Sequence, residues 1–157
     1  MSLIVLSHLH HPGYRLILAA NRDEFYDRPT VALSRWEDVP GVYAGRDVAG
    51  GGTWLGVSRS GRIAAITNYR DPKSINADAP SRGLLVSEFL SGTERPELYL
   101  RNLEHSGGRY NGFSLIAGDQ TGLWYLSNRS SGVRKLEPGL HGLSNHLLDT
   151  PWPKIRN

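Results

Sequence analysis

Leu16-Ile17-Leu18-Ala19-Ala20-Asn21-Arg22-Asp23-Glu24-Phe25 is an apolar run that ends abruptly in an amide, a guanidinium and two carboxylates. The run reads as a buried strand, and Asp27-Arg28-Pro29-Thr30 just beyond it reads as a proline-bearing turn. Upstream, Ser2 to His8 holds a second apolar run, Leu3-Ile4-Val5-Leu6, and His11-Pro12-Gly13 punctuates the interval between the two. Two adjacent strands joined by a turn is the natural expectation. Paired as a hairpin, they bring the start of the chain to the far end of the second strand, so that Ser2 becomes a neighbour of Asn21-Arg22-Asp23. A polar strand end of this kind has two readings: a site, or an ion-pair network that ties two sheets together.

The 157 residues suit a single domain spanning 1–157, with 39 % hydrophobic residues and abundant Trp and Tyr for a packed core. The formal net charge is +3, but Lys and Arg are scattered singly among Asp and Glu. Nucleic acid, which calls for a clustered basic face, is therefore not an expected partner. Cysteine is absent, which excludes disulfides, thiolate metal sites and a Cys nucleophile in this sequence. Met1 to Leu6 is too short and lacks the basic flank of a signal peptide. No apolar run reaches the roughly 18 residues of a membrane span, and the expected location is the cytoplasm.

His8, His10 and His11 admit two readings, a metal site on one strand face or a polar hairpin tip; the tip is favoured because no carboxylate cluster lies nearby, and no metal or cofactor is expected. Arg35-Trp36 to Tyr43-Ala44-Gly45 is loop-rich with one or two short strands. Gly50-Gly51-Gly52-Thr53-Trp54-Leu55-Gly56 lacks the Lys of a phosphate-cradling loop, so its glycines are read as permitting close approach of backbone to backbone or to a ligand. Thr53 to Ser58 and Arg62 to Asn68 form a hairpin about Arg59-Ser60-Gly61, and the second strand again ends in an amide, Asn68. A helix is expected from Ser81-Arg82-Gly83 to Ser91-Gly92. A second, capped by Thr93 with Pro96 in its first turn, runs to His105, with the leucines of both in the core. From Phe113 an antiparallel meander follows, and Leu140 to Asn145 is a third apolar run ending in an amide. Thr150-Pro151-Trp152-Pro153-Lys154 announces a further helix, so the chain is expected to be the front part of a longer protein, completed by another element or by a second copy.

Ala20 to Phe25 with Arg28-Pro29, Gly51 to Gly56, Thr67-Asn68-Tyr69, Tyr110-Asn111-Gly112-Phe113, and Gly142-Leu143-Ser144-Asn145 through Thr150-Pro151-Trp152 together resemble the NRDE family, also called transport and Golgi organisation proteins. That family is similar to N-terminal nucleophile hydrolases of the choloylglycine-hydrolase-like branch. The resemblance implies an α+β fold, an αββα sandwich of two antiparallel sheets, here incomplete at the C-terminus.

The resemblance also implies a site. Once the initiator methionine is removed, residue 2 attacks an amide carbonyl with its own α-amino group as base. Ser2, a weaker nucleophile than Cys at neutral pH, stands where the family commonly has Cys. Arg22 would stabilise the nucleophile's anionic form, Asp23 would hold the α-amino group, and Asn68 and Asn145 would donate to the oxyanion. Asn21 and Glu24 would brace the turn. The implied activity is hydrolysis of a non-peptide C–N amide bond, dormant while Met1 is present. The alternative is a non-catalytic module that binds or traffics an amide or hydrophobic ligand, haem among the candidates.

Overall fold

In the computed structural model, which describes residues 2–151, the first two apolar runs pair as expected, but the second is not the buried strand its apolar run suggested: it lies at the edge of its sheet, and Leu16 and Leu18 are only partly buried while Ile17, Ala19 and Ala20 are exposed. β1 (Leu3–His11) lies antiparallel to β2 (Tyr14–Asn21), with Leu3 opposite Asn21 and Leu6 opposite Leu18. Side chains alternate across the pleat, so Ile4, Leu6 and His8 are buried while Val5 and Leu9 are exposed. The three histidines therefore share neither a tip nor a face. His8 is only 5 % exposed, and a bulge between His8 and His11, with Leu9 at φ +48°, breaks the alternation that would have aligned it with His10.

The chain continues through β3 (Thr30–Arg35), β4 (Val42–Asp47), β5 (Leu55–Ser58) and β6 (Ile63–Asn68), then α1 (Gly83–Ser91) and α2 (Pro96–Ser106). It returns as β7 (Phe113–Asp119), β8 (Gly122–Ser127), β9 (Arg134–Lys135) and β10 (Gly139–Leu143). Strands β3 to β9 form a seven-stranded antiparallel sheet in chain order, while β10 pairs with β1 in a three-stranded sheet of order β10-β1-β2.

The architecture is α+β with two sheets and two α-helices among the described residues. One face of the large sheet carries Val42, Ala44, Ala64, Phe113 and Leu115 against Leu85, Val86, Phe89, Leu90, Leu100 and Leu103 of the helices. The other face presents Ala65, Ile116, Leu123 and Tyr125 to Ile4, Leu6 and Leu143 of the small sheet. Each fully buried aliphatic or aromatic side chain in these layers contributes about 1.5–3 kcal/mol. The outer face of the small sheet stays open: Val5, Ile17 and Leu140 are exposed.

Two expectations about the helices are corrected. Leu84 and Leu98 are exposed rather than core, because the buried stripes fall on Leu85, Val86, Phe89 and Leu90 in α1 and on Pro96, Leu100 and Leu103 in α2. Thr93 does not cap α2. The helix begins at Pro96, and Arg95 ahead of it is extended at φ −60°, ψ 143°, the conformation a following proline imposes. The helix expected around Trp152, Pro153 and Lys154 lies outside the described residues. Among the described residues no helix is long and apolar enough to cross a membrane.

Candidate functional site

The ends of β2, β4 and β6 converge on a cleft of about 570 Å³ whose wall includes Ser2, Arg22, Asp23, Asp47, Trp54, Asn68 and Arg82. The pairing of β1 with β2 is what delivers Ser2 there. Asn21 Oδ1 accepts the Leu3 N–H at 2.9 Å, and the Ser2 carbonyl accepts the Ser144 hydroxyl at 2.9 Å, so residue 2 is anchored from both neighbouring strands. Its Oγ accepts the Asp23 N–H at 3.3 Å. The Asn21 side chain thus ties the start of β1 to the end of β2, not the turn to itself.

Arg22 is held on three sides. Nη1 donates to Thr30 Oγ1 at 3.0 Å, Nη2 donates to Asp47 Oδ2 at 3.2 Å, and the guanidinium lies 4.3 Å from the centre of the Trp54 ring. Arg28 grips the same carboxylate, with Nη2 2.9 Å from Asp47 Oδ2 and Nε donating at 3.0 Å. Glu24 stands 3.8 Å from Arg22 and 3.9 Å from Arg28, so it too serves the turn. Burial alone would raise the Asp47 carboxyl, but the hydrogen bonds from Arg28 and from the Gly50 N–H, with the charges of Arg28 and Arg22, outweigh it and hold the group below its ordinary range.

The glycine cluster lets backbone meet backbone. Gly52 has φ +71°, and a Cβ there would lie 2.3 Å from the Gly83 carbonyl oxygen, which also accepts the Thr53 N–H at 3.1 Å. This contact seats the start of α1, with Ser81 and Arg82, on the cleft wall.

The two expected oxyanion donors differ. Asn68 is exposed at the end of β6, lines the cleft, and its side-chain amide makes no hydrogen bond to any described residue. Asn145 is 8 % exposed and lies off the cleft wall. Its Nδ2 donates to the Asn68 carbonyl at 2.9 Å, and its Oδ1 is buried with no partner among the described residues. The structure therefore brings Ser2, Arg22, Asp23 and Asn68 to one cleft and places Asn145 behind Asn68.

Sequence reading missed Asp47, Trp54 and Arg82. The signal for Asp47 was present, since Val42-Tyr43-Ala44-Gly45-Arg46-Asp47 is another strand that ends in charge. Arg82 was read only as the opening of a helix. Among the described residues no group of three or more His, Asp or Glu is placed to hold a metal. His141 is engaged on both ring nitrogens, by Asp149 and by the Glu137 carbonyl, each at 2.8 Å.

The whole of residues 1–157 matches the protein family described as Transport and Golgi organisation 2. The chain is 46 % identical over 154 residues to the Transport and Golgi organization protein 2 homolog of Bos taurus, covering 91 % of this chain and 55 % of that protein. It is 44 % identical over 152 residues to the homolog of Homo sapiens, with the same coverage of 91 % and 55 %. With Transport and Golgi organization protein 2 of Drosophila melanogaster it shares 30 % identity over 162 residues, 92 % of this chain and 56 % of that one. The chain spans about half the length of the curated relatives it matches. A family match over every residue, with relatives at this level of identity, establishes that the chain belongs to the Transport and Golgi organisation 2 family.

Proposed function

We propose that this chain carries the nucleophile-bearing part of an amide hydrolase that cuts a non-peptide C–N bond, with Ser2, exposed by removal of Met1, as the attacking residue. The observation that carries the reading is the Ser2 Oγ beside the Asp23 N–H at 3.3 Å, in one cleft with Arg22, Asp23 and Asn68. Ser2 Oγ adds to the substrate carbonyl as its proton passes to the Ser2 α-amino group. The tetrahedral oxyanion takes the Asn68 side-chain N–H, the C–N bond breaks, and the leaving amine departs with the proton. Water then adds to the Ser2 ester as the Ser2 α-amino group takes its proton; the proton passes to Ser2 Oγ as the ester C–O bond breaks, and the acid is released. Asp23 orients the α-amino group. Asn145, through its bond to the Asn68 carbonyl, sets the placement of Asn68.

Two facing antiparallel sheets with helices on one side support the αββα sandwich as the fold of the whole domain. The second helical layer of that sandwich would cover the exposed Val5, Ile17 and Leu140. The test of the activity is amine release from acyl amides, including acyl-homoserine lactones and bile-salt-type conjugates, by protein prepared with residue 2 first, as Ser2 and as Ser2→Cys. Turnover that Ser2→Ala abolishes supports the reading; no release from either form overturns it.

One observation favours a second reading, in which the cleft holds an amide or hydrophobic ligand without cutting it. Arg22 is committed to Thr30, Asp47 and Trp54, which is how a structural brace behaves. Haem is one ligand for this version. A haemin titration without a Soret shift, or with one indifferent to changes at His8, His10, His11, His141 and His146, removes it.

A further inference from the structure

Three guanidiniums line the cleft, those of Arg22, Arg28 and Arg82. Asp47 satisfies the first two. Arg82 is different. Its Nη1 donates to the Gly112 carbonyl at 2.8 Å, and no carboxylate lies within ion-pair distance of it among the described residues. It is half-buried, and its surroundings are poor in compensation. Burial pushes its pKa down, Glu24 opposes that from a distance, and Arg129 and Arg28 add to it as like charges. The first turn of α1, which Arg82 precedes, holds no acidic residue.

A half-buried guanidinium without a counterion carries an unrecovered desolvation cost. Its planar fork has five N–H donors, of which the Gly112 carbonyl takes one. The wall beside Arg82 is firm. Asn111, next to Gly112, and Asn76 are tied to each other by two hydrogen bonds of 2.8 Å, which fixes the loop bearing Asn76, Ala77 and Pro80 at the cleft.

We propose that Arg82 is the anion-recognition residue of this cleft, and that the ligand is an acyl amide bearing a carboxylate, which Arg82 binds through its unused donors. The proposal rests on the cleft being the binding site for substrate, and it names the class of that substrate. It does not depend on the bond being cut. Arg82 is a specificity-determining residue here, separate from the nucleophile.

The experiment is isothermal titration of the protein with an N-acylglycine and with the neutral carboxamide of the same N-acylglycine, at low and at high salt. The expected result is that the acid binds about 10-fold or more tightly than the carboxamide, the range for a hydrogen bond to a charged group. The preference should shrink at high salt. Arg82→Gln is expected to bring the acid down to the affinity of the carboxamide. Arg82→Lys should keep part of the preference, and Arg59→Gln, at an exposed site outside the cleft, should keep all of it. Equal binding of acid and carboxamide to the native protein overturns this proposal and leaves the cleft as a ligand site; so does a preference that survives Arg82→Gln. Binding of neither compound overturns the proposal together with the reading of the cleft. Should Arg82→Gln fail to fold, Arg82→Lys and the salt dependence decide: a preference that neither one alters counts against Arg82.

Discussion

Arg22, just past the end of β2 in the small sheet, donates to Asp47, the last residue of β4 in the large sheet, across 3.2 Å. Asp47 holds Arg28 at the same time, at 2.9 Å. One carboxylate thus fastens the turn that carries Asp23 to the sheet that carries Asn68, and the distance between the proposed nucleophile and its oxyanion donor depends on it.

Removing that carboxylate leaves two part-buried guanidiniums with Glu24, at 3.8 and 3.9 Å, as their remaining counterion. Asp47→Ala is expected to lower stability by about 2 kcal/mol or more, short of the full cost of breaking a deeply buried pair because the side chain is 14 % and not 0 % exposed. Arg28→Ala should cost about 1 kcal/mol or less, since its side chain is 34 % exposed and Arg22 remains on Asp47. Urea unfolding of the two variants checks both the sizes and their order.

The Asp47 carboxyl also sets a pH dependence. Its folded pKa is lowered from the ordinary 3.8, so in the window between the two values the unfolded chain binds more protons and stability rises with pH. The contribution is complete above about pH 4 and is lost as pH falls through the folded value. In acid unfolding curves the difference between native protein and Asp47→Asn should narrow as pH drops below about 4.

His141 acts at the other end of the scale. Burial alone would lower its pKa, but the Asp149 carboxylate and the Glu137 carbonyl outweigh burial and raise it above 6.5. The stabilisation is present in full below pH 6.5 and is lost as pH rises through the folded value. Asp149→Asn removes it. Thermal unfolding should show native protein and variant furthest apart near pH 6 and converging as the solution becomes alkaline. The difference curve is the one to read, because His8, whose pKa burial lowers, titrates with the opposite sign.

Gly52 and Gly132 separate backbone strain from collision. Both have positive φ, +71° and +87°, but a Cβ at Gly52 meets the Gly83 carbonyl at 2.3 Å, while one at Gly132 has nothing within 4 Å. Gly132→Ala should cost about 1–2 kcal/mol, the strain alone. Gly52→Ala should cost at least about 1 kcal/mol more and loosen the start of α1, read out as faster hydrogen exchange at the Thr53 amide bonded to Gly83.

The part of the fold legible in the sequence is the part governed by local pattern. The apolar runs of β1 and β2, with the turn residues His11-Pro12-Gly13 between them, specify a hairpin, and a hairpin alone places Ser2 beside Asp23. The glycines of residues 50–52 likewise announce a close backbone approach without naming its partner. Long-range choices were not legible. Asp47 sits on a strand whose flanks read as loop, and its partners are fixed only when two sheets stack. Asn145 looks like Asn68 in sequence, yet a contact across 77 residues turns its amide onto the Asn68 carbonyl instead of into the cleft. His8 shows a third limit, since one bulge was enough to change which histidines share a face.

Ser2 is proposed here as a nucleophile poised in this cleft. The most direct test is intact mass and peptide mapping after treating protein whose first residue is Ser2 with a β-lactone acylating probe. One adduct per chain is predicted, mapped to Ser2, absent from Ser2→Ala and from protein that retains Met1. An unlabelled Ser2, or labelling that is the same with Met1 in place, would contradict the account.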